Sequence, residues 1–139
     1  MKAIVYVDGL AQPRNPGVGT YGFVVYSDGK KVSEGHGVAG ENVTSNYAEY
    51  TALVIALKEL KRLGFDEVVV RSDSKLLVGQ MGGEWKVKGG AYLERLKEAR
   101  DLASGFRELR FEWVPRERNT EADMLSRVAY EKHRKAMRR

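Results

Sequence analysis

Two β-patterned runs in this chain each finish on an aspartate: Lys2-Ala-Ile-Val-Tyr-Val-Asp8 and Glu67-Val-Val-Val-Arg-Ser-Asp73. Segments so rich in Val, Ile and Tyr read as strands, and the Val68-Val69-Val70 run fits a central strand covered on both faces. A carboxylate at the end of an inner strand is costly unless something neutralises it. Two more acids stand in comparable places. Glu49 heads a helical stripe that continues through Leu53, Ala56, Leu60 and Leu63, at steps of four, three, four and three. Asp123 opens the last helical pattern. A fold that gathers all four needs a divalent cation among them, since hard cations prefer oxygen ligands.

Each acid also has a plain structural explanation. Glu49 and Asp123 suit the positive ends of helices, Asp8 followed by Gly9 suits a turn, and Asp73 between two serines suits a helix cap. Ligands nevertheless collect beyond the carboxyl ends of strands in sheets with parallel neighbours, where Asp8 and Asp73 both lie.

The remaining pattern gives the architecture. Residues 2–8 predict a strand, 10–20 (LAQPRNPGVGT) a loop, and 21–27 and 31–38 a hairpin turning at Asp28-Gly29. Thr44 or Ser45 caps a helix to about Leu63, stopped by Gly64. A strand over 66–72 follows, then a short helix ending near Gly82-Gly83, a helix over Tyr92–Ala103, and a strand over 107–114. A last helix, capped by Asn119 or Thr120, runs to about Ala136. The order βββαβ(αα)βα predicts an α/β protein: a five-stranded mixed sheet flanked by helices, one domain over residues 1–139.

The net charge of +5 fits an anionic partner. With no cysteine there is neither a disulfide framework nor a thiolate metal site. No apolar stretch approaches the roughly 18–20 residues of a membrane span, and Met1 leads straight into a strand pattern. The expectation is a cytoplasmic protein with no membrane partner.

Five segments carry a resemblance: Tyr6-Val-Asp8-Gly9; Asn15-Pro-Gly-Val-Gly-Thr-Tyr-Gly; Thr44-Ser-Asn46-Tyr-Ala-Glu49-Tyr; Arg71-Ser-Asp73-Ser; and WVPRERNTEADML from Trp113 to Leu125. In this order and spacing they resemble the type 1 ribonuclease H family over nearly the whole chain. The absence of a large basic insertion between the middle helices is similar to archaeal and some bacterial members. The resemblance implies a ribonuclease H-like fold and endonucleolytic cleavage of the RNA strand of an RNA–DNA hybrid. It implies that Asp8, Glu49, Asp73 and Asp123 hold two Mg²⁺ or Mn²⁺ ions, with Asp8 bridging, and that products carry 5′-phosphate and 3′-hydroxyl ends.

The resemblance also implies that Gly9, Asn15, Thr44 and Asn46 meet the substrate near its phosphates and 2′-hydroxyls, and that Lys75, Trp85, Lys86 and Lys88 meet the DNA strand. Structural roles compete here: Asn15 can serve its turn, Thr44 its cap, and Trp85 the core. The basic tail, Lys132-His133-Arg134-Lys135 with Arg138-Arg139, either touches the nucleic acid backbone or simply ends a helix. The partner is an RNA–DNA hybrid, with double-stranded RNA as a further candidate, met by a monomer.

One departure stands out. Many family members have a histidine in the loop before the last carboxylate, and here Pro115–Thr120 has none. Arg118 is assigned its place, as a cation that pairs with phosphate but cannot be a general base; Arg116 is the alternative if the loop is shifted by two residues. The competing readings are a catalytically silent hybrid-binding module, a resolvase- or integrase-like nuclease, and a domain excised from a reverse transcriptase. The start at Met1 is read as favouring an independent protein over the last.

Overall fold

In the computed structural model, which describes residues 1–138, nine regular elements follow one another. They are β1 (Lys2–Gln12), β2 (Gly17–Ser27), β3 (Lys30–Val43), α1 (Ser45–Leu63), β4 (Glu67–Ser72), α2 (Lys75–Met81), α3 (Leu93–Ala103), β5 (Glu108–Trp113) and α4 (Thr120–Met137). A single 3₁₀ turn, Arg116–Arg118, precedes α4. The sheet order is β3-β2-β1-β4-β5. β1 pairs antiparallel with β2 and parallel with β4; β3 and β5 extend these two halves antiparallel and parallel.

The local signals act where the sequence puts them. Asp28 and Gly29 sit at φ 53° and 76°, the primed-turn geometry that matches strand twist. Thr44 Oγ1 accepts from Tyr47 N at 3.1 Å to cap α1, and Gly64 ends it in the left-handed conformation.

The segment expected as a loop over 10–20 is mostly strand. Leu10, Ala11 and Gln12 pair with Thr20, Gly19 and Val18, so only residues 13–16 turn. Gly17 and Gly19, whose presence suggests a loop, instead sit at register shifts in the β2–β3 ladder. That ladder carries β3 to Val43, five residues past the expected end at 38.

One apolar layer lies between the sheet and α1. Leu53, Ala56, Leu57 and Leu60 of α1 are fully buried, in one cluster with Ala3, Val5 and Val7 of β1 and Val68 and Val70 of β4. Leu53, Ala56 and Leu60 belong to the stripe headed by Glu49; Leu63, its last member, is half-buried. α4 covers the other face, chiefly over β2, and buries only small residues: Ala122, Ser126 and Ala129. Their size allows a close approach. A Cβ on Gly22 would lie 2.4 Å from Ala122 O, so glycine is required where α4 crosses β2. Among the described residues, no helix is long and apolar enough to cross a membrane. Arg139, part of the basic tail, lies outside the described residues.

Candidate metal centre

The parallel β1–β4 ladder pairs Lys2 with Glu67 through to Tyr6 with Arg71. Continuing that register by two residues brings Asp8 level with Asp73. α1 delivers Glu49 from its second turn because Gly9 has no side chain: a Cβ there would meet Ala48 C and O at 2.4 Å and Glu49 N at 2.6 Å. The Gly9 N–H then donates to both Asp8 Oδ1 and Glu49 Oε1, each at 3.0 Å. Sequence assigned Gly9 to substrate; in the fold its backbone orients two carboxylates.

Oxygens of Asp8, Glu49 and Asp73 all lie within 4.8 Å of one another. Asp8 is 6% exposed and Glu49 8%. Glu49 Oε2 is buried and, among the described residues, has no hydrogen-bond partner; nor does any lysine or arginine pair with Asp8 or Glu49. A close group of three carboxylates, two of them buried and one oxygen left free, fits a hard divalent cation. Asp123 stands outside this mutual group, with its carboxyl within hydrogen-bond reach of Asp8. Its Oδ2 accepts from Arg127 Nε at 3.0 Å, one turn along α4, while its charge still reaches Asp8.

Burial pushes the Asp8 carboxyl up to about 7, the Asp73 and Asp123 charges adding to the shift and the Glu49 side chain opposing it. Glu49 is held well above its ordinary value, first by burial and then by Asp8, with the Gly9 N–H opposing. Without metal, the folded protein therefore keeps a proton on this pair near neutrality that the unfolded chain has already released. Stability must then fall as pH rises from the unfolded carboxyl range toward 7. At about 1.4 kcal/mol per pH unit for one proton, urea unfolding in chelator should lose roughly 2–3 kcal/mol between pH 5 and pH 7. A flat or rising profile over that window would contradict the burial of this pair.

The other sequence-assigned residues divide into two kinds. Asn15 Oδ1 accepts from Ser45 N at 3.1 Å, and Thr44 caps α1, so both have structural work where the β1–β2 turn meets the start of α1. Asn46 is exposed beside them. Lys75, Trp85, Lys86 and Lys88 are exposed on α2 and the segment after it. Lys75 Nζ stands 5.1 Å from the centre of the Trp113 ring, whose Nε1 donates to Asp73 O at 3.2 Å. Trp85 is not the core anchor it can be read as: it is 47% exposed, with its ring against Gly79.

The two arginines of the loop before α4 take different places. Arg116 Nε lies 3.9 Å from Asp73 Oδ2, whereas Arg118 lines a groove of about 600 Å³ with Ile4, Tyr6, Tyr26 and Val69. Among the described residues Arg118 touches no carboxylate. The cause is the 3₁₀ turn, in which residues two apart point to different sides. Asn119 was also read too simply, as a helix cap. Its side chain makes no cap bond and turns toward the carboxylates instead.

Fold and site together define an α/β protein with an acidic cluster fitted to hold a metal ion, on a ribonuclease H-like sheet. The family profile described as reverse transcriptase-like matches residues 7–129. A bifunctional protein of Mycobacterium tuberculosis is 43% identical over 130 residues, covering 93% of this chain and 35% of that protein. The crystal structure of RNase H1 from the archaeon Halobacterium salinarum superposes with a TM-score of 0.89 at 35% identity, covering 95% of this chain and 99% of that one. LC11-RNase H1, solved in complex with an RNA/DNA hybrid, gives a TM-score of 0.87 at 37% identity and covers 94% of this chain and 98% of that one. The chain belongs to the type 1 ribonuclease H family. It spans about a third of the length of the mycobacterial relatives it matches.

Proposed function

We propose that this chain is an endoribonuclease that hydrolyses the RNA strand of RNA–DNA hybrids, with two Mg²⁺ or Mn²⁺ ions held by Asp8, Glu49, Asp73 and Asp123. The observation that carries this reading is the group of three carboxylates within 4.8 Å, where one buried glutamate oxygen is left free. When bound, the two cations supply an activated water near neutral pH and neutralise charge on the attacked phosphate and the leaving oxygen. In-line attack by water leaves a 5′-phosphate and a 3′-hydroxyl, with no covalent enzyme intermediate.

The rest falls to the protein. The Gly9 N–H fixes the aim of Asp8 and Glu49. Both must release their protons when the site loads, because cations bind carboxylates in their ionised form. Arg116, beside Asp73, is placed to pair with a phosphate there. Lys75, Trp85, Lys86 and Lys88 offer exposed cations and an aromatic face to the DNA strand. Asn46, with Asn15 and Thr44 nearby, offers amides and a hydroxyl to the 2′-hydroxyls of the RNA. The complex of LC11-RNase H1 with a hybrid supports this choice of partner. The reading takes the protein as a cytoplasmic monomer.

Reading several 2′-hydroxyls across a shallow minor groove predicts a minimum run of RNA. A strand with one ribonucleotide flanked by DNA should be a poor substrate, and a run of roughly four or more should be cut. Chimeric strands annealed to complementary DNA, incubated with Mg²⁺ and resolved on a sequencing gel, test this. Equal cutting at a single ribonucleotide would contradict the proposed reading of the RNA strand. A double-stranded RNA arm in the same series decides whether that substrate is also accepted.

A further inference from the structure

We infer that Asn119 is a positioning residue for the carboxylate site: its amide ties together the strand ends that carry Asp8 and Asp73 at the head of the helix that carries Asp123, and so sets the affinity for the cation. The inference rests on the metal reading above. Asn119 is 1% exposed. Its Nδ2 donates to Val7 O at 2.9 Å, the carbonyl immediately before Asp8, and reaches Asp73 Oδ1 at 3.5 Å. Its own backbone oxygen accepts from Asp123 N at 3.1 Å. One residue thus touches all three segments.

The sheet leaves this job undone. The β1–β4 ladder ends at the Tyr6–Arg71 pair. Past that point β1 runs on paired only with β2 while β4 ends at Ser72, and the Asn119 amide spans Val7 and Asp73. Without such a bridge, mutual repulsion would push Asp8 and Asp73 apart.

What the residue gives up supports the same conclusion. An asparagine at a helix start ordinarily turns its side-chain oxygen onto the first free N–H groups, an interaction worth about 1 kcal/mol. Asn119 heads α4 and makes no such bond, and among the described residues its Oδ1 is buried without a partner. A cap bond and a satisfied acceptor are both forgone while the N–H donors are committed to Val7 and Asp73. An ordinary cap would show the reverse preference. The donor is also chemically specific: aspartate at this position has no N–H for Val7 O and would add charge to an acidic cluster.

Calorimetric titration of the full chain with Mn²⁺, in the absence of nucleic acid, tests this alongside thermal unfolding in chelator. Asn119→Ala should weaken Mn²⁺ binding about ten- to a hundredfold, the usual effect of losing a group that orients metal ligands. Asn119→Ser, which keeps one donor and leaves a smaller hole, should lie between Asn119→Ala and wild type. Tyr92→Phe is the control: it removes the buried bond from Gln80 Nε2 to Tyr92 Oη (3.0 Å), which touches no carboxylate. It should lower the unfolding temperature and leave Mn²⁺ affinity within about twofold. Folded Asn119 variants that bind Mn²⁺ within about twofold of wild type would overturn the positioning role and leave Asn119 a structural residue. If neither variant folds, the bridge serves folding and the inference likewise falls. A wild-type chain that takes up no Mn²⁺ would instead overturn the metal reading itself.

Discussion

Asp73→Asn should abolish hydrolysis, lowering the rate by at least about a thousandfold, or roughly 4 kcal/mol of transition-state stabilisation. The substitution keeps the volume and shape of the side chain and removes a charge that meets Asp8 and Glu49 within 4.8 Å. Loss of a principal cation ligand acts on every catalysed turnover, so the loss cannot be small. Stability in chelator should move the other way. The Asp73 charge helps to raise both Asp8 and Glu49, so its removal relieves repulsion in the folded state. The metal-free variant should therefore unfold at the same temperature as wild type or higher, and hybrid binding should largely persist. Single-turnover cleavage and thermal unfolding of the same preparation check both halves. Retention of more than about a tenth of the wild-type rate would remove Asp73 from the site.

Arg116→Ala should lower turnover roughly ten- to a thousandfold, as loss of a transition-state charge contact does. Arg118→Ala should stay within about threefold of wild type. The distinction comes from the 3₁₀ turn, which sends Arg116 toward Asp73 and Arg118 into the groove beside Tyr6 and Tyr26. A guanidinium stays charged through the accessible pH range, so the pH–rate profile of Arg116→Ala should keep its shape while its height falls. Arg116→Lys should recover only part of the loss, because a point charge cannot pair a phosphate bidentately. If Arg118→Ala does the damage and Arg116→Ala is silent, the loop must rearrange when the hybrid binds. If neither matters, the carboxylates and their cations suffice.

The acids were legible in the sequence for different reasons. Asp8 and Asp73 end strand patterns that predict parallel neighbours, so topology alone set them side by side. Glu49 was visible because a helical stripe whose other members are apolar cannot face solvent, and the fold buries that stripe as far as Leu60. Asp123 was harder: its helix position was clear, but its i,i+4 pair with Arg127 holds it at the border of the group. The Gly9 contact was not legible, since a glycine after an aspartate reads equally well as a turn. Only the backbone of α1, 2.4 Å from its absent Cβ, explains it. The glycine-rich stretch over 10–20 misled for a related reason: glycines at bulges and glycines in loops look alike until the partner strand is known. The two arginines could not be separated because a single 3₁₀ turn has no periodic signature. Asn119 occupies the cap position that the sequence predicted for it, and its side chain serves the site instead.

The central claim is that a carboxylate-held cation site cuts RNA paired to DNA. It is tested most directly by incubating end-labelled RNA–DNA hybrid, RNA duplex and DNA duplex of one sequence with the purified chain. Each should be run with Mg²⁺, with Mn²⁺ and with chelator, and with Asp73→Asn as the blank. The account predicts internal cleavage of the RNA strand of the hybrid with either cation, fragments bearing 5′-phosphate and 3′-hydroxyl ends, an intact DNA duplex, and no cleavage in chelator or by the variant. Cleavage of the hybrid in chelator, or efficient cutting of the all-DNA duplex, would contradict it.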